Sequence, residues 1–135
     1  MAKSGVTYIN PPSAPPVQGM YSHVARAGEL AFIAGQVAID AKGNPVGVGD
    51  LARQVEQVFA NLGLILKDLG TDFEGVVQFT TYLVHSQDIP KFMKYRLAAF
   101  PRFFPGGAYP PNTLLMVDRL VKEAFLVEVQ TIAAV

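Results

Sequence analysis

The chain has no cysteine among its 135 residues, which excludes disulfides, thiolate nucleophiles and cysteine-based metal sites. Charge is scarce and balanced: 16% of the residues are Asp, Glu, Lys or Arg, with eleven of each sign. No net field draws in phosphate backbones or anionic lipid, so neither nucleic acid nor a membrane is expected as a partner. Long hydrophobic runs are missing as well, because Gly, Gln or Asp interrupts each apolar stretch well short of the roughly 20 residues of a membrane helix. The opening Met1-Ala2-Lys3-Ser4-Gly5 carries no apolar signal core, and the expected location is the cytoplasm. There is no GxGxxG, Walker lysine loop, HExxH or Gly-x-Ser-x-Gly elbow, which removes the familiar cofactor and hydrolase classes.

What is present is apolar. Half of the residues are hydrophobic, high for a soluble domain, and this predicts an oligomer that buries part of its surface against further copies. The length suits one domain over residues 1–135. Residues 10–19, Asn-Pro-Pro-Ser-Ala-Pro-Pro-Val-Gln-Gly, hold four prolines. Proline removes a backbone donor and fixes φ, so residues 1–19 are expected to form an extended arm leading to Tyr21.

Ser22–Arg26 and Leu30–Ala38 read as strands joined by a turn at Ala27-Gly28, and residues 40–45 as a loop. After Asp50, a good N-cap, apolar residues at 51, 55, 58, 59, 62, 65, 66 and 69 recur at helical spacing up to Gly70, a fitting C-terminal glycine. Val76–Val84 is rich in β-branched and aromatic residues and predicts a strand. Asp88, with Pro90 in the first turn, opens a second helix expected to end before Pro101. A loop at Pro105–Gly107 precedes strands at Thr113–Val117 and Phe125–Ala133. The order β-β-α-β-α-β-β predicts an α+β domain, a mixed sheet covered on one face by two helices. The uncovered face is expected to pack against sister subunits in a closed ring.

Glu128 is the most informative single residue, because it interrupts a strand otherwise built for burial. It shares a face with Leu126, Gln130 and Ile132, while Val127 and Val129 point the other way. A carboxylate there is either satisfied by partners or used; burial raises its pKa and fits it to carry a proton. His23 and His85 lie far apart without further ligands in view, and read as structural or solvated rather than metal-binding. Tyr109 and Phe104 either wall a pocket or pack a subunit seam. Phe92 and Tyr95 read as core residues at helical spacing, and Arg96, Arg102 and Arg119 as solvated surface charges.

Four blocks now fall in order: Tyr21 after the proline-rich arm, Phe32-Ile33-Ala34-Gly35-Gln36-Val37, Pro110-Pro111-Asn112-Thr113, and Val127-Glu128-Val129-Gln130-Thr131-Ile132-Ala133. Over about residues 17–134 the chain resembles the Rid (YjgF-type) reactive-intermediate deaminase family. The resemblance implies a chorismate mutase-like fold and a homotrimer with a small-molecule pocket at each subunit interface. It also implies hydrolysis of 2-imino acids, or their enamine tautomers, to 2-keto acids and ammonia without a cofactor. Glu128 matches the family glutamate that positions or activates water, Tyr21 the pocket tyrosine, and Gly35 and Gln36 the Gly-Gln of the second strand. Two positions depart: Ala34 stands where serine is common, and Asn112 where the deaminases carry the arginine that grips the substrate carboxylate.

A guanidinium binds a carboxylate through two charge-assisted hydrogen bonds, whereas an amide offers donors without charge. Asn112 therefore fits a neutral, amide-like or differently anchored ligand, or is a turn residue after two prolines. The expected site is catalytic Glu128 with Tyr21, Gly35, Gln36, Tyr109, Asn112 and Thr113 binding substrate, and no metal. The expected activity is hydrolysis of a small imine, enamine or amide-like metabolite by a Glu128-held water. The alternative is a non-catalytic trimer of the same fold that binds a metabolite or a protein. Nucleic-acid cleavage, attributed to some relatives, is disfavoured by the absence of a basic stripe.

Overall fold

The structure, a computed structural model, describes residues 5–135. Its strands are β1 Val6–Ile9, β2 Val24–Ala27, β3 Leu30–Gln36, β4 Val76–Leu83, β5 Asn112–Met116 and β6 Val127–Ala134; its helices are α1 Leu51–Asp68 and α2 Ile89–Phe103. All strands lie in one sheet of order β1-β2-β3-β6-β4-β5. Neighbours are antiparallel except β4 and β5, which are parallel and joined through α2. This is the mixed sheet with two helices on one face that the sequence predicts. No described helix is long and apolar enough to cross a membrane.

Helix α1 forms where its pattern places it. The Asp50 carboxylate accepts from the Arg53 N–H at 3.1 Å, satisfying a donor that the helix start leaves unpaired. At the other end Gly70, at φ 80°, lets its own N–H donate to Lys67 O and that of Thr71 donate to Leu66 O, satisfying two carbonyls of the last turn. The face carrying Val55, Val58, Phe59, Leu62, Ile65 and Leu66 is fully buried against the sheet and α2. Phe59 is the hub: Phe79, Phe100, Phe103 and Tyr95 all place ring centroids within 6.0 Å of it. Each such pair contributes roughly 0.5–1.5 kcal/mol beyond area burial. Phe104, one of the two aromatic residues of the following loop singled out in the sequence, is buried in this cluster.

Three expectations are corrected. Helix α2 does not stop before Pro101 but runs to Phe103. Proline deletes only the bond to the Leu97 carbonyl, Leu97 lies on the solvent side, and the Phe104 N–H closes the end on Phe100 O. The extended arm is shorter than residues 1–19: residues 1–4 lie outside the described part, and Val6–Ile9 pairs with β2 as an edge strand. Only about residues 10–22 run without regular structure, and they are pinned, with Ser13 N–H and Oγ on the Asp68 carboxylate at 2.7 and 3.0 Å. Finally, β3 ends at Gln36 instead of Ala38 because its pairing with β6 slips between Ile33 and Gln36, a bulge that turns the strand end away.

Side chains on β6 alternate as a strand requires. Val127, Val129, Thr131 and Ala133 are buried under the helices, and Glu128, Gln130 and Ile132 occupy the opposite face. That second face is uncovered in the single chain and carries Tyr8, Phe32 and Leu115, each exposed.

Candidate active site

Glu128 sits in the middle of the uncovered face. The register places it beside Tyr82 of β4, which in turn pairs with Leu115 of β5; the next row is Gln130, Thr80 and Thr113. Tyr82 donates its hydroxyl to Gln130 Oε1 at 3.2 Å. The Glu128 carboxyl lies over the β3 bulge against Gly35, where an added Cβ would stand 2.8 Å from its Cγ and closer still to its oxygens. Only glycine leaves room for it. Half-burial pushes the Glu128 pKa above the ordinary carboxylate range by desolvation. Among the described residues none donates a hydrogen bond to this carboxylate, so it is an acceptor held in place by packing.

Beside it opens a depression of about 470 Å³, walled by Tyr8, Tyr21, Phe32, Ala34 and Gln130 among others. Glu128 is not part of that wall but adjoins it, since Gly35 follows Ala34. Tyr21 is exposed, its hydroxyl accepting from the Gln18 N–H at 3.1 Å. The loop that presents it is fastened by His23, which is buried: Nε2 meets Pro15 O at 2.6 Å and Nδ1 meets Gln36 Nε2 at 3.2 Å. With Nε2–H donating to the carbonyl, Nδ1 accepts from the amide. Gln36, 2% exposed, also donates to Ala34 O at 3.0 Å. It thus lies beneath the depression as a brace, and His23 is structural, as the sequence reading has it.

Asn112 lies elsewhere. It opens β5 opposite Phe79, on the helix-covered face, and its Oδ1 accepts from the buried Thr81 hydroxyl at 2.8 Å. With Tyr109, Pro110, Met93, Arg96 and Phe100 it lines a second groove of about 580 Å³ between α2 and the sheet edge. Arg96 is therefore not a solvated surface charge. The residue is half-buried, with its guanidinium carbon 5.9 Å from each of the Phe92 and Phe100 ring centres.

The seven residues expected in one site fall into two groups in a single chain. Glu128, Gly35, Tyr21 and Thr113 belong to the uncovered face or its margin, Gln36 lies below it, and Asn112 and Tyr109 line the groove on the far side. Sequence reasoning missed Tyr8, Tyr82 and Arg96. The Val-Thr-Tyr-Ile run signalled a strand for Tyr8, and the 92, 96, 100 spacing put Arg96 between two phenylalanines. No local pattern encodes the β4–β6 register that sets Tyr82 beside Glu128.

The family model for endoribonuclease L-PSP matches residues 11–135. A RutC family protein of Pyrococcus horikoshii is 34% identical over 121 residues, covering 90% of this chain and 91% of its own. The 2-iminobutanoate/2-iminopropanoate deaminase of Mus musculus is 30% identical, covering 70% of this chain and 81% of its own. A solved Rid-family structure from Yersinia pestis superposes with a TM-score of 0.84 at 25% identity, over 96% of this chain and 99% of that one. The architecture is accordingly the chorismate mutase-like one, and the chain belongs to the endoribonuclease L-PSP family, the YjgF/Rid proteins.

Proposed function

We propose that the protein is a hydrolase of the imine-deaminase kind, acting on a small imine, enamine or amide-like metabolite without a cofactor, in clefts between the subunits of a homotrimer. The observation that carries this reading is Glu128: an unpartnered, half-buried carboxylate with a raised pKa, kept against the Gly35 bulge next to an open depression. A general base works best when its pKa approaches the working pH. The name of the mouse relative supports the reaction class.

In the proposed step Glu128 takes a proton from water as the oxygen attacks the imine carbon, and the C=N pair moves onto nitrogen. The protonated Glu128 then returns that proton to the nitrogen to give a carbinolamine; Glu128 next takes the carbinolamine O–H proton and hands it to the amine, so that the C–N bond breaks, the carbonyl forms and ammonia leaves. Assembly is supported by the division of the site, because bringing the Glu128 face of one chain against the Asn112 groove of another would complete the cleft.

The test is turnover of a panel of freshly generated imino acids, enamines and small amides by the wild type and by Glu128→Gln. The expected result is hydrolysis of at least one substrate by the wild type, with a loss of about 100-fold or more in the variant, general acid–base catalysis contributing roughly 10²–10⁴, and no loss of assembly or melting temperature. Undiminished turnover in the variant would make Glu128 structural; no turnover by the wild type would favour a trimer that only binds its ligand.

A further inference from the structure

We propose that Arg96 is the anion-gripping residue of this protein: a guanidinium moved from the start of β5 onto α2, so that the groove takes the carboxylate end of a substrate although Asn112 carries no charge. Of the five arginines, Arg96 lines this groove and has no anionic or carbonyl partner among the described residues. Arg26 donates to Gly28 O, Arg53 faces Glu56 at 3.5 Å, Arg119 faces Glu123 at 3.4 Å, and Arg102 is exposed beside the Phe103 ring.

Position 96 is fixed by its own helix. Residues 92, 96 and 100 follow at four-residue spacing on one ridge of α2, and the guanidinium lies between the buried Phe92 and Phe100 rings at 5.9 Å from each. Aromatic faces hold a guanidinium by attraction to the π quadrupole and leave its N–H edge free to donate in plane. The groove's other polar groups point the same way. Asn112 Oδ1 is occupied by the Thr81 hydroxyl, which leaves the Nδ2 hydrogens to donate, and Tyr109 offers a hydroxyl. Among the described residues no carboxylate lines the groove. A cavity of one positive charge and several donors, with apolar walls, fits a small organic anion whose acceptor end is a carboxylate.

This deepens the proposed function, on which it rests for the reacting end of the molecule: the carboxylate sits on Arg96 of one subunit, and the imine carbon faces Glu128 of the next. The test separates the two claims by measuring binding apart from turnover. Pyruvate, a 2-keto acid of the product class, and its uncharged amide are titrated into the wild type, Arg96→Gln and Arg96→Lys by calorimetry. Mass and melting temperature are checked for each variant.

The expected result is wild-type preference for pyruvate over the amide, a loss of about 10- to 150-fold for pyruvate in Arg96→Gln, an intermediate loss in Arg96→Lys, and less than about 3-fold change for the amide. Adding Asn112→Arg to Arg96→Gln should return part of the pyruvate affinity. In turnover, Arg96→Gln should raise KM for carboxylate substrates with kcat nearly unchanged. Equal pyruvate binding in the wild type and Arg96→Gln, or no wild-type preference for the anion, would overturn the assignment even if imines are hydrolysed. Arg96-dependent pyruvate binding with no imine turned over would instead sink the hydrolase reading and leave Arg96 standing.

Discussion

Gly35→Ala tests whether the position of Glu128, and not merely its presence, matters. Gly35 is absent from the positive-φ glycines, so alanine suits its backbone. The new methyl would stand 2.7 Å from Glu128 Cδ and 2.8 Å from Cγ, where ordinary contacts begin near 3.4 Å. The obstructing atoms are the free end of a flexible side chain. The carboxyl group therefore swings outward by on the order of 1 Å, a displacement that costs roughly 100-fold in rate when a reacting group is involved. Folding is affected little, since alanine is favoured over glycine in a strand by roughly 0.5–1 kcal/mol and offsets the crowding. The assay is kcat/KM against pH, beside thermal unfolding. The expected outcome is a loss of about 100-fold at unchanged melting temperature, within a few degrees, and an acid limb moved toward lower pH as the displaced carboxyl regains water. Wild-type rate with an unmoved acid limb would refute the reasoning.

Light scattering on a sizing column should give about 44 kDa, three times the 14.6 kDa chain, because interfaces that hide an apolar sheet face are large and persistent; a 14.6 kDa peak would remove the intersubunit cleft. In the folded wild type the Glu128 pKa is raised by desolvation, so this group supports folding at low pH and opposes it increasingly as pH rises through the folded value. Glu128→Gln should therefore match wild-type stability in acid and exceed it above the ordinary glutamate range; the reverse order in thermal melts would show that the carboxylate has a stabilising partner. His23→Leu leaves the Pro15 carbonyl and the Gln36 amide without their shared imidazole. It should cost about 1–3 kcal/mol for each orphaned group in denaturant unfolding, and a neutral result would show that the arm is not anchored there.

The helices and the core strands were legible because their information is local. The 3.6-residue recurrence after Asp50 and the alternation around Glu128 each name the buried face without knowledge of the partner, and the structure keeps both. The end of α2 is not legible in the sequence, because Pro101 reads as a stop although in the last turn it forfeits only one bond, at the carbonyl of the exposed Leu97. Strand β1 was hidden by its neighbourhood of prolines. That Asn112 faces away from Glu128 depends on the β4–β5 and β4–β6 registers together, long-range pairings that no local pattern encodes. Arg96 was passed over for a similar reason: its spacing to Phe92 and Phe100 was visible, but the groove beside it exists only after α2 meets the sheet edge.

The place of β6 has a consequence for the order in which the protein comes into being. Made after the other five strands, it is inserted between β3 and β4, and without it the sheet is two separate pieces, β1-β2-β3 and β4-β5. During synthesis the chain carries those pieces, with the apolar surface of α1, until the residues from Val127 onward emerge. Pairings such as Ala31 with Ala133 close across about a hundred residues, which makes sheet completion a late and slow event. Glu128 arrives on that same strand. A nascent chain thus has no half-formed site to expose: β6 closes the sheet and supplies the carboxylate together.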